Sequence, residues 1–163
     1  MRSTEGIAGL VAEAALMLGN SEAIADANRP AWFVTLEGDC VFDIEYDDAQ
    51  ARVVVTSVVA EVPAAARQHV YEMLLQYNYL WTDTGGLRMA LAGTPGPVVM
   101  MVEMAVPGLA PAWLCRVLTN MRNALHAWRQ ALGSVPAADI GAEIPMQAQE
   151  GQVLHAAMDA YRG

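Results

Sequence analysis

The chain has 163 residues, 55% hydrophobic and only 17% charged, with a formal net charge of −9 and no lysine among its nine basic residues. That length suits one domain with a real core, and a surface so short of charge leaves apolar side chains exposed, as partner sites do. The acidic balance speaks against nucleic-acid binding, and the missing lysine excludes a Schiff-base lysine and a P-loop. Cys40 and Cys115 are far apart and form no CxxC, so neither a disulfide framework nor a zinc site is expected. The N-terminus has no signal-peptide layout. No uncharged apolar run reaches the roughly 18 residues of a membrane helix. The expectation is a cytoplasmic protein without membrane insertion.

Ser3 or Thr4 is placed to cap a first helix, with Glu5 in the first turn, where the helix dipole favours an acid. Ile7, Leu10, Val11, Ala14, Met17 and Leu18 then recur at helical spacing, and Gly19-Asn20 is a stop. Ser21 to Pro30 reads as a connector. Ala31 to Glu37 is a strand carrying Trp32, Phe33, Val34 and Leu36, and Gly38-Asp39 is a two-residue hairpin turn. Cys40, Phe42, Ile44 and Tyr46 alternate with Val41, Asp43, Glu45 and Asp47, one face apolar and the other largely acidic. Arg52 to Ala60 holds Val53, Val54, Val55, Val58 and Val59, which predicts a central strand buried on both faces.

Glu61-Val62-Pro63 opens a second helix, with proline where its missing N–H is harmless. Its apolar face is Ala66, Val70, Met73, Leu74, Tyr77 and Trp81. Gly85-Gly86 turns the chain into a strand at Leu87 to Ala92, and Gly93-Thr94-Pro95-Gly96 joins it to another at Pro97 to Ala105, apolar on both faces. A third helix starts near Leu109 to Pro111 and ends at Leu132, with Trp113, Leu114, Val117, Leu118, Met121, Leu125 and Trp128 as its stripe. A tail from 133 to 163 follows, with a short helix expected from Gln147 to Tyr161. Residues 1–132 thus form the domain and 133–163 a C-terminal extension. The order is α-β-β-β-α-β-β-α. Short connections favour antiparallel neighbours, so the fold class is α+β: an antiparallel five-stranded sheet with helices packed on it.

Chemistry is sparse. Asp39, Asp43, Glu45, Asp47 and Asp48 are the only dense charge cluster, and a flat strand does not gather oxygens as a hard-cation site does, so the row reads as a solvated face. His69, His126 and His155 are scattered without metal-ligand or base-carboxylate spacing. No serine sits in a GxSxG context. Met89, Met100, Met101 and Met104 gather on the last two strands, as core filler or as an adaptable binding surface. No catalytic residue, metal or cofactor is expected, and the residues point to an acidic domain that binds protein.

The strand Cys40-Val41-Phe42-Asp43-Ile44-Glu45-Tyr46-Asp47-Asp48 resembles the alternating acidic second strand of the class I type III secretion chaperones, the family that includes the Tir chaperone. Leu74-Leu75, then Asn78, then Gly85-Gly86 before a strand is similar to another pattern of that family, and a third helix with Trp128 near its end fits as well. The resemblance spans about Thr4 to Leu132, and the extension after Gly133 departs from its shortest members. It implies a homodimer without enzymatic activity around which the N-terminal segment of a secreted effector winds in extended form. On this reading the first strand is an exposed edge for strand addition, and Trp32, Val34 and Leu36 bind effector beside Ile7, Leu10, Val11 and Leu18 of the first helix. The dimer interface falls on Met73, Tyr77, Trp81, Leu87 and Met89. Each of these residues suits an ordinary core equally well. The alternative function is a small regulatory or sensory domain of similar layout that binds another protein; a small hydrolase or metal enzyme using the acid row ranks last.

Overall fold

The computed structural model describes residues 3–19 and 23–133. The extension beyond Gly133, with the helix expected at 147–161 and His155, lies outside them. The elements are α1 (Thr4–Met17), β1 (Ala23–Ala25), β2 (Ala31–Leu36), β3 (Cys40–Asp47), β4 (Arg52–Ala60), a 3₁₀ turn (Ala64–Ala66), α2 (Arg67–Tyr79), β5 (Arg88–Leu91), β6 (Val98–Ala105) and α3 (Pro111–Gly133). The class is α+β, with an open antiparallel sheet of six strands rather than five, in the order β1-β2-β3-β4-β6-β5. The additional strand is β1, inside the segment expected to be a connector. It pairs antiparallel with β2, Ile24 opposite Phe33. The described residues divide into two compact units, residues 3–19 and 23–57 with 101–122, and residues 58–100 with 123–133. Each is taken by itself.

In the first unit, the Ser3 side chain accepts a hydrogen bond from the Gly6 N–H at 3.3 Å, capping α1 as its sequence predicts. Ile7, Leu10, Val11, Ala14 and Ala15 are buried, and α1 lies against β1 and β2. β3 alternates without exception: Cys40, Phe42, Ile44 and Tyr46 are buried, and the residues between them are not. β2 and β3 pair with Leu36 opposite Cys40, so the hairpin loop has three residues, Glu37 to Asp39, rather than two; Gly38 and Asp39 both have positive φ. Val53 and Val55 of β4 are buried, whereas Val54 is half-buried, so burial on one face replaces the two-faced burial expected there. Ser57 is buried and donates to the Val41 carbonyl at 2.8 Å. Leu114, Leu118 and Met121 supply the buried stripe of α3; Trp113, expected on it, is exposed.

In the second unit, Val59 is buried and Val58 exposed. Val98, Val99 and Met100 are all buried, so this end of β6 has the two-faced burial its sequence suggests, while from Met101 onward every second residue turns outward. Val70, Met73, Leu74 and Tyr77 form the inner face of α2, which packs on β5. The Tyr77 and Trp128 rings meet edge to face, centroids 5.2 Å apart at 86°, the geometry the ring quadrupoles favour. Arg129 donates to the carbonyls of Val59 at 3.0 Å and Val58 at 2.9 Å. Gly96 is required by close approach, because a Cβ there would lie 2.4 Å from the Ala92 carbonyl oxygen.

Candidate functional site

On the first unit, α1 and the β1–β2 turn border a hollow of about 230 Å³, with Glu5 and Ala8 on one wall and Asp26, Arg29 and Trp32 on the other. Arg29 is the hub. Its guanidinium donates to Asp26 at 3.0 Å, Asp43 at 2.6 Å and Glu45 at 3.0 Å, and it stands 5.5 Å above the Phe33 ring. Asp43 lies opposite Phe33 in the β2–β3 register, which is what brings the acid row within reach of a turn residue. Hydrogen bonding to Asp43 first, then to Asp26, raises the Arg29 pKa above its ordinary value. The Asn28 N–H, bonded to the Asp26 carboxylate at 2.8 Å, is the largest cause holding Asp26 below 3.8. At the other end of β3, Arg52 donates to Asp47 at 2.9 Å and Glu103 at 2.7 Å. The acid row is therefore bridged by two arginines rather than merely solvated. Among the described residues, no group of three or more potential ligands is placed to hold a metal.

Exposed apolar side chains also occur on α1 and β1. Leu16 and Met17 at the end of α1 and Ile24 on β1 are all exposed. The residues assigned to binding from sequence sit differently. Ile7, Leu10 and Val11 of α1 and Trp32, Val34 and Leu36 of β2 are buried, and Leu18 is half-buried. The edge is also corrected: β2 is flanked by β1 and β3, so the outer strand is β1. Met17, expected on the apolar stripe of α1, is exposed instead; Leu16 and Ile24 gave no signal because Ala14 to Leu18 is an unbroken apolar run and Ile24 stands between alanines without alternation.

A second surface lies on α2 in the other unit. Leu75, Tyr79 and Trp81 are 69%, 84% and 63% exposed. Leu75 and Tyr79 are four residues apart, on one face of the helix, and with Gln76 and Leu80 they line a shallow hollow of about 450 Å³. Of the five residues assigned to a dimer contact, Met73, Tyr77, Leu87 and Met89 are buried within the chain and Trp81 alone is exposed. Helix α2 ends at Tyr79 rather than Trp81, and this takes Trp81 off the inner stripe.

Between α2 and β5, the Asn78 side chain pairs with the Met89 backbone in both directions. Thr84 is fully buried, its hydroxyl 3.3 Å from the Trp81 carbonyl and 3.1 Å from that of Leu87. Gly85 and Gly86 follow with φ of 61° and 88°, left-handed values that glycine adopts at little cost.

The described residues thus combine three helices and an open antiparallel sheet with an acidic β3 and an Asn-to-Gly-Gly junction. Residues 10–129 match the Tir chaperone protein (CesT) family, and the chain belongs to that family. No curated protein sequence matches it. Among solved structures, the ExsC–ExsE complex contains a chain of the same fold at 15% identity and a TM-score of 0.67, covering 81% of this chain and 97% of that one. The HopA1–SchA chaperone–effector complex gives 14% and 0.60, with coverage of 76% and 93%. The Yersinia pestis type III secretion chaperone SycH, in complex with a stable fragment of YscM2, gives 18% and 0.57, with coverage of 74% and 97%. These identities speak to the fold alone.

Proposed function

We propose that this protein is a type III secretion chaperone that binds the N-terminal segment of a secreted effector and keeps it soluble and export-competent. The observation that carries the reading is the match of residues 10–129 to a chaperone family. The exposed apolar side chains Leu16 and Met17 on α1 and Ile24 on the outer strand β1 support it, since an extended peptide adds to an edge by backbone hydrogen bonds and seats alternate side chains in apolar hollows. Ile7, Leu10, Val11, Trp32, Val34 and Leu36 shape that surface from beneath, and half-buried Leu18 borders it. The net charge of −9 draws basic segments by long-range attraction. The protein works by binding alone, in the cytoplasm, as a homodimer. Its two-fold contact falls on Leu75, Tyr79 and Trp81 of the α2 surface, with buried Met73, Tyr77, Leu87 and Met89 as the packing behind it.

The test is co-expression with secreted proteins encoded beside the gene. A captured partner whose binding maps to its N-terminal segment, and is lost in Leu16→Asp with Ile24→Asp while the circular dichroism spectrum is unchanged, supports the reading. Capture that survives this double substitution moves the binding surface elsewhere, and absence of any N-terminal partner removes the chaperone role.

A further inference from the structure

An edge strand normally presents a row of unpaired N–H and C=O groups that another strand can take up. β5 is such a strand, four residues long at one end of the sheet order, yet its outer side is filled from within the chain. The Ala92 N–H donates inward, to the Pro97 carbonyl at the start of β6, at 2.9 Å. By the period of two, Ala90 and Arg88 also point toward β6, and Leu87, Met89 and Leu91 point away. At Met89 the Asn78 carboxamide does what a neighbouring strand would do: Nδ2 donates to the Met89 carbonyl at 2.9 Å, and the Met89 N–H donates to Oδ1 at 2.8 Å. At Leu87 the N–H donates to the Thr84 carbonyl at 3.2 Å, and the Thr84 hydroxyl lies 3.1 Å from the Leu87 carbonyl. Two of the three outward-facing residues are therefore already paired.

Only a residue carrying a donor and an acceptor on one short planar group can serve at position 78. A carboxylate of the same shape accepts but does not donate, and an aliphatic side chain does neither. β1, at the other end of the sheet order, has no comparable guard: among the described residues, no side chain is hydrogen-bonded to the backbone of Ala23–Ala25.

We propose that Asn78 and Thr84 seal the β5 edge against strand addition, so that an extended partner segment is taken up at the β1 edge. Asn78 is on this account a specificity residue: it decides where a strand joins, without touching the strand that does. The proposal rests on the chaperone reading for the identity of the incoming strand, but the seal is testable with the full chain alone.

Amide hydrogen exchange on the wild-type protein is the first measurement. The Met89 and Leu87 amides exchange at least about tenfold more slowly than the Leu91 amide, which faces the same side without a partner from the seal. Equal rates at Met89 and Leu91 overturn the proposal whatever the variants do. In Asn78→Ala the Met89 amide speeds up about tenfold, and sedimentation shows concentration-dependent association beyond the wild-type species, as the opened edge pairs with a second copy. Asn78→Asp, which keeps the acceptor and loses the donor, gives a smaller increase and serves where Asn78→Ala does not fold. A folded variant with wild-type exchange at Met89, or with fast exchange and no added association, also overturns the proposal. None of these readouts uses an effector, so failure of the capture experiment above and failure of the seal are told apart.

Discussion

Replacing Trp81 by alanine separates the α2 surface from the core beneath it. Trp81 is 63% exposed. A tryptophan side chain offers up to roughly 250 Å², and at about 25 cal/mol per Å² the exposed part is worth roughly 3–4 kcal/mol when a partner covers it. A two-fold contact loses the residue twice, while side-chain ordering and imperfect rim burial offset part of the gain. The net loss expected for the dimer is about 3–5 kcal/mol, or roughly 10²- to 10⁴-fold in dissociation constant. Because the side chain is mostly outside the protomer, its fold and unfolding free energy change by less than about 0.5 kcal/mol. Met73→Ala is the control: this side chain is buried within the protomer, and removing it costs about 2–5 kcal/mol of folding stability. Sedimentation equilibrium over a concentration series, paired with urea unfolding, reads both quantities. If Trp81→Ala dimerises as the wild type does, with an unaltered fold, the two-fold contact is not on this face.

Other expectations concern the edge, the titrating groups and one turn. Ala25→Pro removes an N–H that the Asp26-to-Ala31 hydrogen bond places, by alternation, on the outer side of β1; edge strands tolerate proline, so capture of a co-expressed effector is lost while the thermal midpoint moves little. Asp26 is held below its ordinary value, so the stability it contributes is complete above about pH 4 and is lost as pH falls through the lowered value; acid unfolding of Asp26→Asn compared with wild type shows the difference only above that range. Tyr46 behaves in the opposite sense. Its hydroxyl donates to Asp48 at 2.7 Å, and this bond is the first cause of a pKa raised above 10.0. Its contribution is complete below pH 10 and lost as pH rises through the higher value, so the 295 nm titration of wild type minus Tyr46→Phe lags that of free tyrosine. Gly96→Ala forces a Cβ against the Ala92 backbone, and a loss of about 1–3 kcal/mol is expected in urea unfolding.

Period and punctuation made most of this fold legible. The alternation from Cys40 to Asp47 is strict, and burial follows it residue by residue. Ser3, Gly38-Asp39 and Gly85-Gly86 mark boundaries through chemistry that is local to the chain, so a linear reading finds them. β1 escaped because Ala23-Ile24-Ala25 is too short to show a period and takes its structure from β2. The Arg29 hub escaped for a related reason: its partners lie 14 and 16 residues away and meet it only once the β2–β3 register is set. For the candidate site, most of the residues named from the sequence fall on the buried sides of their elements. Apolar spacing identifies the side of α1 and α2 that makes a core, and the exposed apolar side chains Leu16, Leu75 and Tyr79 lie outside that spacing. Trp81 continues the α2 stripe on paper, and only the helix end at Tyr79 releases it.

The division of the chain into two units has a consequence for its synthesis. Each unit is made from two separated stretches, and α3 contributes residues 111–122 to one and 123–133 to the other. A chain growing from the ribosome, where an N-terminal portion usually folds first, has the full set of residues of neither unit until α3 has emerged. Until then Tyr77 of α2 lacks the Trp128 ring that it meets edge to face. A protein that shelters the unfinished segments of others thus passes through an unfinished state of its own, and a chain truncated before residue 111 leaves both units incomplete at once.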